Sequence, residues 1–240
     1  RVPLFEQAVA TEACAPPPER RRVTFGTGWL RESIVEHFDD ALAHFPVLLP
    51  CESAEPPGRF AHLRFHNGTL WPWNRPLIGF DPDGTPHVRI EHRVLPAGPR
   101  RLDMVANAAL YVGLTSGLGT LSRPPERDLP FEAARASFLA AARHGLEAEI
   151  TWLDGRPRPV RTLLLDEAIP IARQGLAEQG VDAAEIDRWL DVVEQRVRTG
   201  RTGSVWQRRW IERRGPDFQR MHADYLEHQR SGAPVHEWPA

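Results

Sequence analysis

Lysine is absent from this chain of 240 residues, and its 30 lysine-or-arginine positions are all arginine. The chain therefore has no P-loop lysine, no Schiff-base lysine and no lysine nucleophile. Phosphate or carboxylate groups would have to be held by guanidinium groups, which bind such oxygens through paired N–H donors and stay protonated. The absence excludes lysine-based chemistry and leaves arginine-based chemistry open.

Cysteine is scarce, with Cys14 and Cys51 as its only two occurrences. Two cysteines cannot form a disulfide framework, and no paired Cys/His spacing typical of a zinc site accompanies them. We expect both to be free thiols in a reducing, cytoplasmic compartment.

Long apolar runs and a strong net charge are also missing. No run approaches the roughly 20 residues of a membrane span, and the N-terminal segment lacks the apolar region of a secretory signal. A net charge of −2 argues against a general nucleic-acid or acidic-membrane surface. We expect a soluble protein with no nucleic-acid partner and no membrane. Because the chain begins with Arg1, we also expect it to be processed or part of a longer protein.

The residue patterns predict a few strands followed by many helices. An extended segment is predicted over 15–22, strands over 60–65, 68–73 and 87–95 with a turn at Asp83-Gly84, and a hairpin over 149–160. Helices are predicted over 29–44, 100–118, 130–145, 162–179 with a break at Pro170, 182–200, 204–214 and 217–230. This order predicts an α+β fold. Residues 1–125 would form a partial antiparallel sheet with flanking helices, and 126–240 a helical region packing on it.

The strand over 87–95 has one polar face that carries Arg89, Glu91 and Arg93. Alternate strand residues share a face and lie about 7 Å apart, so the three side chains could flank an anion and a metal ion together. Arginine binds phosphoryl oxygens and a carboxylate holds Mg²⁺. The other interpretation is a solvated salt-bridge ladder, which these residues taken alone favour.

An ordered set of longer motifs surrounds this strand. "HLRFHNGTLWPWNRP", "PHVRIEHRVLPAGP", "AARHGLEA" and "PVHEW" occur in that order, and the apolar helix "DMVANAALYVGL" follows the second. The set resembles the glutamate–cysteine ligase-like carboxylate–amine ligases of the glutamine synthetase superfamily over nearly the whole chain. The resemblance implies a glutamine synthetase-like sheet.

The resemblance also implies roles for particular residues. Glu91 would be a Mg²⁺ ligand at the ATP site, Arg89 and Arg93 would hold transferring phosphoryl oxygens as catalytic residues, and Arg75 would be a further phosphate contact. Asn74 precedes Arg75 at the entry to the neighbouring strand and is assigned to the substrate. In the family's reaction ATP phosphorylates the γ-carboxylate of glutamate, and an amine such as that of cysteine displaces phosphate, as in glutathione biosynthesis.

The chain departs from the family pattern in its carboxylates. Such enzymes hold two or more metal ions with several carboxylates on earlier strands, whereas Glu91 alone stands in a recognisable motif here. We therefore expect this chain to be the C-terminal half of a longer enzyme, inactive without the missing N-terminal half. The alternatives are a ligase with a different amine acceptor and a non-catalytic binding or scaffold module.

Four further side chains have open roles. His66 and Asn67 would line the substrate pocket or serve as structural hydrogen-bonding groups. Trp71 and Trp73 would stack on adenine or pack in the core, and core packing is the commoner role of tryptophan.

Overall fold

The computed structural model describes residues 2–8, 21–95 and 98–239. The chain is α+β, as predicted, and divides into two compact units, Arg1–Leu95 and Pro96–Ala240. Cys14 and most of the extended segment predicted over 15–22 lie outside the described residues. Within the described residues, no helix combines the length and the apolar character that crossing a membrane requires.

The first unit contains short helices and two strand pairs. Its helices are α1 Val2–Ala8, α2 Val35–His44 and α3 Ala61–Gly68, and its strands are β1 Val23–Thr24, β2 Trp71–Pro72, β3 Asn74–Phe80 and β4 Pro86–His92. β1 and β2 form a two-residue parallel pair, whereas β3 and β4 form a seven-residue antiparallel hairpin. The longer pair carries the residues that the sequence singles out.

Helix α2 begins six residues later than the prediction from Trp29. The carboxylate of Glu36 accepts hydrogen bonds from the backbone N–H groups of Arg31, Glu32 and Ser33. These three bonds hold the preceding segment as a loop around Glu36 and lower the pKa of its carboxyl group. Hydrogen bonds to the Glu36 side chain therefore take the place of the helical turns that were predicted before residue 35.

The strand predicted over 60–65 is wrong, because this segment enters helix α3. Leu63, His66, Asn67 and Leu70 turn inward at helical spacing, with the last three fully buried. Two of these inward residues are polar, so the spacing of the apolar residues alone does not show the helical period. Phe60, at a φ of 52°, precedes the first turn.

The hairpin β3–β4 confirms the predicted turn and corrects the segment before it. Gly84 has a φ of 89°, and the Asp83 carboxylate accepts from the N–H of Thr85. Residues 74–80, interpreted from sequence as a connection, form strand β3 instead. Pro76 lies inside it, opposite Ile90.

The second unit is mostly helical. Its elements are α4 Arg101–Gly119, α5 Phe131–His144, β5 Glu149–Thr151, β6 Pro157–Pro159, α6 Val160–Leu163, a π-helical turn Leu164–Ala168, α7 Ile169–Glu178, α8 Ala183–Thr199, α9 Gly203–Arg214 and α10 Phe218–Ser231. The predicted helices and the hairpin β5–β6 are confirmed. Pro170 lies in the first turn of α7 directly after the π-helical turn, so the predicted break is confirmed too.

The core of the second unit lies between α4, α7 and α8, around Ala106, Ala172 and Leu190. Glycines bring α4 and α7 close together: a Cβ added to Gly117 would lie 2.6 Å from the carbonyl oxygen of Ile171. A second cluster joins α9 and α10 to the C-terminal segment through Trp206, Trp210, Met221, Val235 and Trp238. Helix α4, assigned from sequence to the range 1–125, thus packs in the second unit.

Candidate functional site

The candidate site lies on one face of the hairpin β3–β4. The register places Arg75 opposite Glu91 and Leu77 opposite Arg89, and directly opposed residues share a face. The pairing continues past β4, where the N–H of Arg93 donates to the carbonyl oxygen of Trp73 over 2.9 Å. The structure therefore places Arg75, Arg89, Glu91 and Arg93 along one side of the hairpin.

Arg75 is buried, and its guanidinium is fully engaged. Nε and Nη2 lie 3.0 and 2.8 Å from Glu91 Oε2. Nη1 donates to the carbonyl oxygens of Asn67, Gly68 and Leu70 at the end of α3. Asn67 and Gly68 are the last residues of α3, where a helix has carbonyl groups that its own N–H groups do not fully satisfy, and Leu70 follows two residues later. Arg75 thus joins the end of α3 to the carboxylate on β4.

Arg93 contacts both Glu91 and an aromatic ring. Its Nε lies 3.4 Å from Glu91 Oε2, and its guanidinium carbon lies 3.5 Å from the centre of the Trp71 ring. A cation at this distance from a tryptophan face is attracted by the quadrupole of the ring. The indole and the carboxylate together fix the position of the guanidinium.

Glu91 is held through one oxygen only. Its contacts with Arg75 and Arg93 all converge on Oε2, whereas Oε1 accepts no hydrogen bond from any residue of the described ranges. The side chain is 37% exposed, compared with 11% for each of the two arginine side chains. The result is a partly exposed carboxylate that two guanidinium groups hold through one oxygen, and a carboxylate can bind a cation.

Arg89 lies on the same face, two residues before Glu91, and is exposed. Its Nη1 lies 3.5 Å from Nε2 of His87, and His87 Nδ1 lies 3.2 Å from a carboxylate oxygen of Asp81. Arg89 is therefore far less constrained than Arg75, and its guanidinium can turn toward an incoming anion.

Asn74 lies on the opposite face of the hairpin, where it pairs with His92. Its Oδ1 lies 2.7 Å from His92 Nδ1, and burial lowers the pKa of the His92 imidazole. Because the amide oxygen Oδ1 can only accept, Nδ1 is the His92 nitrogen that donates in this contact. The predicted substrate contact through Asn74 is thus on the other side of the hairpin from Glu91.

Asn67 and His66 lie on α3 and are buried. Asn67 uses both ends of its amide: Nδ2 donates to the carbonyl oxygen of Pro76, and Oδ1 lies 3.0 Å from His37 Nε2. His66 Nε2 lies 3.3 Å from the carbonyl oxygen of Ala41. Asn67 therefore connects α2, α3 and β3.

His66 also lines a cavity of about 490 Å³ beside α3. Cys51, His62 and Phe65 contribute to the same wall, and Cys51 is an exposed free thiol. This volume is within the range of small-molecule pockets. A ligand bound in this cavity could contact His66.

The sequence did not assign Trp71 as the aromatic partner of Arg93. The available signal was its position at the end of a short strand beside the Arg-x-Glu-x-Arg segment. Across the described residues, no group of three or more His, Cys, Asp or Glu side chains is arranged to hold a metal ion. Glu91 is accordingly the carboxylate that this face offers to a metal.

Comparison of the chain with protein-family models, with curated proteins and with solved structures found no match.

Proposed function

We propose that this chain is the C-terminal half of an ATP- and Mg²⁺-dependent carboxylate–amine ligase of the glutamate–cysteine ligase-like type. The β3–β4 face would form part of its nucleotide–metal site, on a sheet of glutamine synthetase-like type. The observation that carries the proposal is the geometry of Glu91, whose Oε2 is held by Arg75 and Arg93 while the side chain is partly exposed. A carboxylate presented in this way suits a Mg²⁺ ion that bridges phosphate oxygens.

Each arginine of the face has a different role in this proposal. Arg93, fixed by Trp71, and the exposed Arg89 bind phosphoryl oxygens and neutralise the charge that develops on them. Arg75 acts through Glu91, because a direct contact between Arg75 and phosphate would require it to give up the carboxylate or the carbonyl groups of α3. Arg75 is therefore a positioning residue for the metal ligand.

The proposed reaction is the one that the family resemblance implies, and this charge distribution suits it. An oxygen of the glutamate γ-carboxylate attacks the γ-phosphorus of ATP, the bond to the β-phosphate oxygen breaks, and ADP leaves with the bond electrons. The amine nitrogen then attacks the acyl carbon, the acyl–oxygen bond to phosphate breaks, and the amine loses a proton. Phosphoryl transfer depends mainly on positioning and charge neutralisation, which arginine and Mg²⁺ supply without lysine.

Two features support a longer enzyme around this face. The metal ions of such a site need further carboxylates beyond Glu91. In addition, Val88 and Ile90, the apolar residues on the back of β4, are 49% and 50% exposed. Burial of apolar strand residues normally stabilises a sheet, so additional elements covering this side fit the proposal.

A non-catalytic module is the second candidate, and the contacts of Arg75 favour it. An arginine that pairs with Glu91 and also binds three carbonyl groups at and just after the end of α3 stabilises the fold of this unit whether or not a nucleotide binds. In that case Glu91 and Arg93 would be structural residues.

Amide formation by the full-length protein tests the proposal. ATP, Mg²⁺ and glutamate are incubated with a panel of amines that includes cysteine, and the amide product and ADP are measured. We expect Glu91→Gln and Arg93→Ala to abolish both products, while Glu32→Gln, an exposed position in the same unit, retains them. Undiminished turnover in both site variants would contradict the ligase proposal, and the amine that reacts identifies the acceptor.

A further inference from the structure

The second unit contains a cleft of about 660 Å³ that lies away from the residues discussed so far. It is formed by the end of α5, the start of α6 and the N-terminus of α9. Its basic residues are Arg143, His144, Arg161 and Arg208, against Glu147 as its acidic residue. Since the whole chain has 30 arginines and 32 acidic residues, this surplus of basic side chains is local.

Arg161 lines the cleft, and its guanidinium is held in place by contacts within the unit. Its Nη1 donates to the carbonyl oxygen of Val197 over 2.7 Å, and its Nε and Nη2 lie 3.2 and 2.5 Å from Glu147 Oε1. Gly200, at a φ of 66°, leaves room for this guanidinium, since an added Cβ would lie 2.7 Å from Nη2. Glu147 is thus paired with Arg161 through Oε1.

Arg143 and Arg208 are the cations left for a ligand. Both are exposed and line the cleft, and neither forms an ion pair or hydrogen bond with another described residue. They belong to different helices, α5 and α9, and both line this one cleft. Two guanidinium groups can bind a single phosphate group through charge-assisted hydrogen bonds.

Backbone donors supplement the guanidinium groups at the start of α9. The Thr202 hydroxyl caps the N–H of Val205, and the N–H of Trp206 donates to the Thr202 carbonyl oxygen. The N–H groups of Gly203 and Ser204 have no partner within the helix, because they belong to its first turn. The Ser204 side chain lines the cleft as well.

We propose that this cleft binds the phosphate monoester of a small organic molecule. The phosphate would be bound by Arg143, Arg208 and the first turn of α9, while the organic part would contact the apolar wall of Leu146 and Val160. A bare phosphate ion fills only a small part of about 660 Å³, so the cleft has room for the body of a larger ligand. The site goes beyond the proposed ligase function and uses none of its residues.

Calorimetric titration with glycerol 3-phosphate, inorganic phosphate and glycerol tests this proposal. We expect glycerol 3-phosphate to bind more tightly than inorganic phosphate, and glycerol not to bind. Arg143→Gln and Arg208→Gln should each weaken binding at least about tenfold, the loss of one hydrogen bond to a charged group. Arg188→Gln, an exposed position on α8 outside the cleft, should bind as the wild type does.

Two further measurements locate the site. The amide resonances of Gly203 and Ser204 should shift on addition of glycerol 3-phosphate, and Glu91→Gln should leave the affinity unchanged, which separates this site from the proposed nucleotide site. Absence of binding, unchanged affinity in both cleft variants, or phosphate binding tighter than monoester binding would each overturn the proposal.

Discussion

Glu91 lies between Arg75 and Arg93, with its Oε2 atom 2.8 Å from Nη2 of the first and 3.4 Å from Nε of the second. Two cations on one carboxylate oxygen restrict the position of the side chain and leave the other oxygen without a hydrogen bond from any described residue. The same contacts stabilise the hairpin, because Arg75 also binds the end of α3. Structural and ligand-binding roles of Glu91 therefore need separate tests.

The stabilising role of Arg75 is tested by Arg75→Leu. We expect the free energy of unfolding to fall by about 3 kcal/mol, because the carbonyl groups at and after the end of α3 lose a charged donor and Glu91 keeps only Arg93 as a partner. Urea denaturation measures the change. Arg89→Leu removes an exposed arginine from the same face and should change stability by less than about 0.5 kcal/mol. Equal losses in the two variants would show that Arg75 has no special structural role.

The contact between Arg93 and Trp71 is tested by a double-mutant cycle. Trp71 also lies 5.2 Å from the ring of Phe5, so the single variant Trp71→Leu removes more than one interaction. The coupling energy between Arg93→Gln and Trp71→Leu isolates the pair, and we expect about 1 kcal/mol. A coupling energy of zero, measured by chemical denaturation, would show that the two side chains do not stabilise each other.

The close approach of α4 and α7 makes one glycine of α4 sensitive and another tolerant. Gly117→Ala should lower the free energy of unfolding by about 2 kcal/mol, because its Cβ would lie 2.6 Å from the carbonyl oxygen of Ile171. Gly119→Ala meets nothing within 4 Å and should be neutral or stabilise by up to about 0.5 kcal/mol. Thermal unfolding compares them, and a tolerated Gly117→Ala would contradict the observed helix spacing.

The pH dependence of stability should reveal Asp103, a carboxyl group of α4 that is 0% exposed. Burial raises its pKa, and nearby Arg196, the Val235 N–H and His236 offset this effect only in part. The folded state therefore binds the Asp103 proton more tightly than the unfolded state does. The contribution of Asp103 to the free energy of unfolding therefore falls as pH rises from the ordinary aspartate pKa of about 3.9 through the higher pKa of the folded state. Asp103→Asn should gain stability relative to wild type over that window, measured by urea denaturation across pH.

Asp224 serves as the control, because its pKa is shifted in the opposite direction to that of Asp103. Its hydrogen bond from Trp210 Nε1 lowers the pKa of the carboxyl group, and Arg214 acts in the same direction. Asp224 therefore contributes stability above its ordinary pKa that is lost as pH falls through the folded value. Asp224→Asn should be less stable than wild type near neutral pH, with the difference disappearing in acid. The same pH trend in both aspartate variants would contradict these assignments.

Periodicity and turn chemistry were sufficient for the second unit. The capping residue Asp182 and the closing Gly200 mark the ends of α8, and Pro170 marks the break before α7. These signals are local, so they can be read without knowledge of neighbouring elements. The first unit depends on side chains that bind backbone groups three to eight residues away. Glu36 and Arg75 each take over bonds that regular secondary structure would otherwise make, and neither contact leaves a periodic pattern.

The candidate site was predictable to the extent that it follows from strand alternation. Placing Arg89, Glu91 and Arg93 on one face needs only the period of two, and Arg75 joins them through the register of the hairpin. The position of Asn74 on the other face follows from the same rule once Arg75 is placed. The orientation of Glu91 could not be predicted, because it depends on Trp71 and on the end of a helix that the sequence presented as a strand.

Binding of ATP to the full-length protein, with and without Mg²⁺, tests the role of Glu91 most directly. We predict that wild-type protein binds ATP at least about tenfold more tightly when Mg²⁺ is present, and that Glu91→Gln loses this dependence while its hairpin stays folded. Calorimetric titration gives both affinities. Equal affinities and equal Mg²⁺ dependence in wild type and Glu91→Gln would show that the Glu91 carboxylate is not a ligand of the nucleotide-bound metal.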